Sequence, residues 1–487
     1  MIVDRDLVGQ AIQAAPTKAV ITLGKETTRI TEPLKANGTP DYVAALNAAH
    51  GAGVTKDNNA LVLIVQALGP SMFADDIRPA SMKTLGIDFP ESKVLDVTYE
   101  DPNEYKVCLG GSFKASEHSK VADWLKANGP KLELVTAASK RPRYYNPVVI
   151  SGTGKGPSLF SLALHSSAGI RGACRMFLIR ANLATGEGRF AEASEDLLTI
   201  ARLGKLLEQD SVLTGPLVGI GICSVADVGV QGMLTASGFD ANSASDLLAR
   251  ISAIGTCETI SVFDECERYL MLDTICYFAS TPPEKADFRI LDVRLDAMSA
   301  FEANRLIQQA KAADWDECLR TANKWYDRLI STMKMTNSKD RQTSLATYDK
   351  DFREFRESAV QAMTSEPNSP EFSKAFGDLI IVAVMPPLTK PFVLSKRCAV
   401  TRDLSIVSLG LTAYRSDKGH YPAALAELSP IYLKDVPKDY FSGNDLIYRT
   451  AGNGYMLYSV GDTPINDRDR LQNGTAKTSE IVIKVEQ

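Results

Sequence analysis

The sequence predicts a mainly α protein, in which an irregular multi-helix domain precedes a small α+β domain. Two patterns predict it. From Leu159 to about Tyr414, apolar residues recur three and four positions apart with short polar breaks, as on the buried faces of helices. Beyond Tyr414 the pattern changes to turns and two short segments that are typical of strands. The composition agrees, because alanine is abundant and aromatic residues make up only 7% of the chain.

Breaks in these patterns divide the 487 residues into four predicted parts. They are an irregular lead-in at 1–40, an N-terminal helical region at 41–150, a helical bundle domain at 151–390 and the α+β domain at 391–487. The connector KRPRYYNPVVISGTGKGPS marks the second boundary, since its prolines and glycines interrupt any helical period. Elsewhere we expect one helix to stop at Asn128-Gly129, and we expect the polar segment 334–349 to be a connector.

The words GEGRFAEASEDLL belong to the clearest helical hairpin. Helices are predicted over Ala173–Ala184 and Phe190–Leu207, joined by a glycine-containing turn. The words resemble one tetratricopeptide-type hairpin, an architecture that stacks repeats of about 34 residues. The sequence has no second clean copy, so we predict a single α-hairpin inside an irregular bundle.

The C-terminal part is predicted to be a long helix followed by a β-hairpin. The helix runs from about Pro391 to Arg415 and carries an apolar stripe of Val400, Leu404, Val407 and Leu411. Asn453-Gly454 is a typical turn between strands at 446–449 and 455–460. Two strands alone cannot bury an apolar face, so we expect the helix stripe to pack on them.

Charge and cysteine usage argue against several classes of function. The net charge is −5, whereas a nucleic-acid binder shows a basic excess, so no nucleic-acid partner is expected. The eight cysteines form no C-x-x-C pair, and the chain has four histidines, so neither a zinc site nor a redox site is predicted. We interpret the cysteines as small buried hydrophobes, with one or two disulfides as the alternative in an exported protein. The segment SGTGKG at 151–156 departs from a phosphate-binding loop, because Lys155 is followed by glycine.

Apolar runs are short at both ends of the chain. The N-terminus has no run long enough for a signal peptide, and Leu379–Leu388 is too short to span a bilayer. We therefore expect a soluble chain, with membrane anchoring only through a segment that would precede Met1.

Two groups of side chains are candidates for contact with a ligand or partner. The first lies on one predicted helix in DWDECLRTANKWYDRL and consists of Trp315, Trp325 and Tyr326. Large aromatic residues at helical spacing usually anchor packing, which is the alternative. The second lies in the connector and consists of Arg141, Arg143 and Tyr144. Cations beside an aromatic ring suit a polyanion, and a solvated loop is the alternative.

Carboxylates on one helix are the candidates for catalysis. Glu267 and Asp273 lie in the words DECERYLMLD, and paired carboxylates perform general acid–base chemistry when they face each other. They are six positions apart and do not share a helix face, and solvated surface charge is the alternative. The sequence therefore leaves open whether the protein is an enzyme, and it predicts no reaction.

The loop after Tyr458 carries hard oxygen ligands of the kind that calcium prefers. Its members are Ser459, Asp462, Asn466, Asp467 and Asp469. Their spacing matches no EF-hand, and solvated acids are the alternative. No other cofactor is expected.

The words AYRSDKGHYPAALAEL, FSGNDLIYR and GYMLYSVGD resemble the globular half of the type II secretion major pseudopilin. The resemblance implies a small α+β domain, a place in the cell envelope and a calcium-binding loop that corresponds to 459–469. This chain departs from that family, because no prepilin peptidase signature lies near Met1 and prolines interrupt the segment 386–391. These departures argue against assembly into a pilus.

Most of the chain also resembles a broad family of uncharacterised bacterial envelope-associated proteins. The shared words are DYVAALNAAHGAGVTKDNNALVLIVQALGP, ASKRPRYYNP, GEGRFAEASEDLL, DECERYLMLD and DWDECLRTANKWYDRL. The resemblance implies an envelope location and no particular reaction. We therefore expect a non-enzymatic scaffold or interaction protein with protein partners in the envelope. The alternatives are a hydrolase-type enzyme or a ligand-binding module with its site in a cleft of the helical domain, and a cytoplasmic location.

Overall fold

The computed structural model describes residues 21–88, 94–151, 156, 159, 167–256, 258–292, 298–367, 369–462 and 481–485. Over these residues the chain is mainly helical and ends in a small three-stranded antiparallel sheet. The predicted fold class is confirmed at that level.

The elements follow one another in the following order. The first helices are α1 (Tyr42–Gly51), α2 (Ala60–Leu68), α3 (Arg78–Leu85), α4 (Pro102–Gly110), α5 (Ser119–Ser139), α6 (Ala168–Gly186), α7 (Phe190–Leu207), α8 (Thr214–Leu234) and α9 (Ala241–Ile254). The later helices are α10 (Ile260–Val262), α11 (Arg268–Ser280), α12 (Ala300–Ala312), α13 (Trp315–Met333), α14 (Ser338–Ala362), α15 (Pro370–Val384) and α16 (Thr389–Lys418). A single π-helical segment, Phe263–Glu267, joins α10 to α11. The strands are β1 (Ile447–Ala451), β2 (Gly454–Ser459) and β3 (Ile481–Val485).

Two helices extend through segments that were expected to break them. Helix α5 continues through Pro130, and the preceding Gly129 has no Cβ to collide with the proline ring. Helix α14 begins at Ser338, inside the expected connector 334–349, because the Asn337 side chain accepts a hydrogen bond from the Asp340 amide and caps it. Both expectations were wrong, because they relied on one glycine–proline step or on local polarity and gave too little weight to the helical residues on either side.

The buried apolar residues form two large clusters. The first combines α2, α5, α6, α7 and α9 with the distal part of α16 and the sheet. The second combines α1, α11, α13 and α15 with the start of α16. Helix α16 therefore contributes to both clusters, and the predicted boundary at 390/391 lies inside this helix.

The sheet packs on α16 as the stripe predicts. Strand β2 is the centre strand and pairs with β1, with Ile447 opposite Tyr458, and with β3, with Tyr455 opposite Val485. The predicted stripe residues Val400, Leu404, Val407 and Leu411 are buried in one cluster with side chains from β2 and β3. Sequence reasoning missed β3 and also missed that α16 packs on α8 and α9.

The described part of the lead-in, 21–40, is fastened to the second cluster by polar contacts. The Lys35 ammonium lies 2.6 Å from an Asp273 oxygen, and Tyr42 donates a hydrogen bond of 2.9 Å to the Thr28 carbonyl. Residues 1–20 of the predicted lead-in lie outside the described residues.

Within the residues that the structure describes, two helical stretches have the length and hydropathy of a membrane span. They are α8 and an apolar window within Pro370–Lys418. Within the folded protein, 56% of the first window and 50% of the second are buried. Burial of this kind is also typical of the core helices of a globular protein. The described cysteines are buried, in agreement with their interpretation as small hydrophobes.

A candidate binding groove between α5, α6 and α7

An open groove of about 620 Å³ lies between one face of α5 and the hairpin of α6 and α7. We call it the α5 groove. Its lining residues are Ala122, Leu125, Lys126, Gly129, Glu133, Thr136 and Lys140 from α5 and its end, Arg180, Leu183 and Ala184 from α6, and Arg189, Glu192, Glu195 and Asp196 from the start of α7. The last four belong to the words GEGRFAEASEDLL, so the hairpin motif supplies much of the groove's charge.

The hairpin is fixed by close packing at its turn. Gly188 has a φ of 72°, a left-handed conformation that glycine adopts without strain. A Cβ on Gly186 would lie 2.1 Å from the carbonyl oxygen of Phe113, so only glycine allows the segment before α5 to approach. The α6–α7 turn is therefore held against the N-terminal end of α5, which closes one end of the groove.

The α5 wall presents charges of alternating sign. Lys126, Glu133 and Lys140 are exposed and lie seven positions apart on one face. At a rise of 1.5 Å per residue, neighbouring charges are about 10 Å apart along the helix. Lys126 has no carboxylate partner within the described ranges, whereas the Lys140 ammonium lies 3.2 Å from Glu195.

The floor of the groove is a bidentate ion pair. Arg180 donates from Nε and Nη2 to the two oxygens of Asp196, at 2.9 and 2.6 Å, and its guanidinium lies 5.1 Å from the ring centre of Phe177. Burial raises the pKa of Asp196 to about 6, although the arginine opposes the shift. Arg180 also reaches Glu133 at 3.5 Å, which links the floor to the α5 wall.

The end of the groove near Lys140 carries excess positive charge. Glu195 is surrounded by Lys140, Arg202 and Arg250, and of these cations only Arg250 has a second carboxylate partner, Asp246, among the described residues. Glu195 and Asp246 together oppose three cations, so one positive charge is left over and this end attracts an anionic group.

Thr136 gives the groove a buried polar group without a partner. Its side chain is 8% exposed, and its hydroxyl has no hydrogen-bond partner among the described residues. A threonine in a helix usually donates to a carbonyl one turn back, and a buried hydroxyl left unpaired is costly. Thr136 lines the groove, so a ligand would meet its hydroxyl only by displacing the side chains that cover it.

The connector residues predicted to contact a ligand instead hold the chain together. Arg141 donates to the carbonyl oxygens of Lys56 and Asn59, and Arg143 donates to the carbonyl of His50. Tyr144 is buried. The connector was expected to be a polyanion contact or a solvated loop, and its described residues instead fasten the segment between α1 and α2.

The aromatic group on α13 packs inside the second cluster. Trp315 contacts Phe376 edge to face, and Trp325 lies against Tyr348 and Phe352 from α14. Tyr326 is buried and donates a 2.9 Å hydrogen bond to the Glu267 carbonyl. These contacts match the packing alternative, and Trp315 and Trp325 remain partly exposed, so ligand contact there stays a prediction.

The two candidate catalytic carboxylates have separate surroundings. Glu267 lies in the π-helical segment, and burial raises its pKa to about 7. Asp273 accepts hydrogen bonds from Lys35 and from the Leu159 amide, at 2.6 and 2.9 Å. Asp273 is thus occupied as an internal anchor, so the described contacts do not make the two carboxylates an acid–base pair.

The described part of the candidate calcium loop is already bonded to protein. The Ser459 hydroxyl donates to Asp439, and Asp462 forms an ion pair with Arg397. Asn466, Asp467 and Asp469 lie outside the described residues, as does most of the segment 151–156. Calcium binding by this loop stays a prediction.

Sequence reasoning missed the groove residues Arg180, Asp196 and Thr136. A signal was present, because α5 repeats exposed charges every seven residues beside the hairpin words. No protein-family model, curated protein or solved structure matches this chain.

Proposed function

We propose that the protein is a non-enzymatic interaction protein of the cell envelope that holds an extended segment of a partner protein in the α5 groove. The observation that carries the proposal is an open groove with exposed charges of alternating sign along one wall. Such a surface suits a polar peptide better than a small apolar molecule, since each peptide charge and amide needs a counterpart.

The wall charges define the partner's sequence pattern. An extended chain in the polyproline II conformation has three residues per turn and rises about 3.1 Å per residue, so side chains three apart share one face and span the ~10 Å between neighbouring charges on α5. The complementary segment therefore carries an acidic, a basic and an acidic residue at positions one, four and seven. They face Lys126, Glu133 and Lys140 respectively.

The proposed envelope location is supported by the sequence resemblances. The words GYMLYSVGD cover β2 and residues 460–462 after it. A long helix followed by antiparallel strands is also the order that the pseudopilin resemblance implies. We propose on that basis that the C-terminal unit is pseudopilin-like and that the partners are envelope proteins.

Peptide selection tests the proposed groove ligand. Nine-residue peptides displayed on phage would be selected on the full chain, because an extended nonapeptide spans about 30 Å, similar to the α5 wall. The expected consensus has acidic, basic and acidic residues three apart. A double variant, Glu133→Lys with Lys140→Glu, should select peptides in which the last two signs are exchanged.

Affinity measurements by fluorescence anisotropy complete the test. A peptide selected on the native chain should bind the double variant at least tenfold more weakly, since a tenfold loss needs about 1.4 kcal/mol. The matched control exchanges Lys350 and Glu354, an exposed ion pair on α14, and should change affinity less than twofold. Selection without a charge pattern, or equal binding to the double variant, would contradict the proposal.

A further inference from the structure

A second pocket lies at the seam between α14, α16 and the segment that leads into the sheet. Its volume is about 260 Å³. Phe392 and Phe441 give it apolar walls, and both are almost fully buried. Ligand sites often lie where separately packed units meet, and this volume is just below the ~300 Å³ at which pockets for drug-sized ligands begin. The pocket therefore suits a compound with a single ring.

Arg341 is a buried cation in this pocket without a carboxylate partner among the described residues. Its side chain is 3% exposed, and the central carbon of the guanidinium lies over the Tyr440 ring, 3.8 Å from the ring centre. Nη1 donates to the carbonyls of Met335 and Thr336, at 2.8 and 3.3 Å, and Nη2 donates to the Tyr440 carbonyl at 2.8 Å. The described residues offer no acceptor to Nε. A buried arginine that is satisfied by backbone carbonyls alone keeps its positive charge, and that charge can still attract an anion.

The other charged groups around the pocket are either paired or on its rim. Lys396 lies 2.8 and 3.0 Å from the two oxygens of Glu258, and Asp462 pairs with Arg397. Asp349 is exposed at the rim. The interior therefore has one uncompensated positive charge, whereas the outer part of the pocket carries negative charge.

We propose that this seam pocket binds a small organic monoanion with a single flat ring, of which an aromatic carboxylate is the simplest form. The carboxylate accepts from the Nε edge of Arg341, where a planar guanidinium bonds a planar carboxylate well. The ring lies against Phe392 and Phe441. Asp349 on the rim disfavours a second negative charge on the outer part of the ligand, so a monoanion is preferred over a dianion.

Isothermal titration calorimetry with benzoate on the full chain tests the proposal. Benzoate should bind saturably, whereas neutral benzyl alcohol and dianionic phthalate should each bind at least tenfold more weakly. Arg341→Lys should also weaken benzoate at least tenfold, because an ammonium keeps the charge but loses the planar edge. Equal binding of benzyl alcohol, or no saturable benzoate heat, would overturn the proposal.

Two exposed positions on α14 allow binding in the pocket to be distinguished from binding elsewhere on the surface. Ala346 lies on the pocket rim, and Thr347 is exposed next to it but does not line the pocket. Ala346→Trp should abolish benzoate binding by filling the pocket, whereas Thr347→Trp should leave the affinity within twofold. Benzoate binding that survives Ala346→Trp would place it elsewhere on the protein and reject the site.

Discussion

Two arginine–carboxylate clusters in this protein use the same residue types but differ in what covers them. In the α5 groove, Arg180 pairs with Asp196 and lies over Phe177. In the second cluster, Arg268 pairs with Asp264 and Asp327, at 2.6 and 2.7 Å, and lies over Tyr326. The Arg180 side chain is 26% exposed and the Arg268 side chain only 1%.

The difference comes from the N-terminal segment. Asn323 accepts a hydrogen bond from Arg268 and donates to the carbonyls of Glu26 and Thr27, so residues 26–27 cover the Arg268 cluster. Arg29 lies at its rim, 3.9 and 3.7 Å from the same two carboxylates. No described segment covers the α5 groove in this way. An ion pair of this kind stabilises the fold where the chain covers it, and it forms the floor of a site where the chain leaves it open.

The largest expected effect comes from removing the covered arginine. Arg268→Met should lower the free energy of unfolding by about 3–5 kcal/mol, since it removes two charge-assisted hydrogen bonds of a buried guanidinium, each worth about 1.5–3 kcal/mol. Urea denaturation at pH 7 measures it. Arg29→Met removes a rim cation near the same carboxylates and should cost less than about 1 kcal/mol. Equal losses for the two variants would mean that burial does not distinguish the covered arginine from the rim arginine.

A smaller, pH-dependent effect is expected at Glu267, which adjoins Arg268 but has no described side-chain partner. Burial raises its pKa from 4.5 to about 7 in the folded protein. The folded state therefore binds the proton more tightly, so stability is highest below the unfolded pKa and falls as pH rises through about 7. At ~1.4 kcal/mol per unit of pKa, the loss by pH 8 is on the order of 3 kcal/mol.

Glu267→Gln should remove most of this pH dependence. The variant should melt at a higher temperature than the native protein at pH 8 and at a similar temperature at pH 4, because glutamine resembles the protonated acid. Thermal melts from pH 4 to 8.5 compare the two proteins. A lower melting temperature of the variant at pH 8 would show that the Glu267 carboxylate is stabilised by a contact that burial alone does not describe.

Features that depend on neighbouring residues in the chain could be predicted from the sequence. The hairpin of α6 and α7 and the stripe on α16 have regular three-and-four spacing, and both are present. The turn at Asn453-Gly454 joins β1 to β2 as its residues indicate. In each case a local pattern and the global packing favour the same structure.

Features that depend on distant partners could not be predicted. Strand β3 pairs with β2 across more than twenty intervening residues, a separation over which a short apolar run does not by itself specify its partner. Arg141 has the sequence context of a solvated loop, but it bonds carbonyls more than eighty positions away. The charges of the α5 groove lie on recognisable helices, yet only the packing of α5 against the hairpin brings them to one site.

The smallest expected effect comes from substituting two threonines, one that lines the groove and one that lies outside it. Thr136 lines the groove and Thr199 lies in α7 outside the groove lining, and the hydroxyl of each is buried without a partner among the described residues. Replacing either by valine removes an unpaired hydroxyl at nearly constant shape, so each variant should gain about 1 kcal/mol of stability. Only Thr136→Val should weaken a groove-selected peptide, because Thr136 lines the groove and Thr199 does not. Urea denaturation and fluorescence anisotropy on both variants measure the two effects. If both threonines stabilised equally and neither affected the peptide, the Thr136 hydroxyl would have no part in binding.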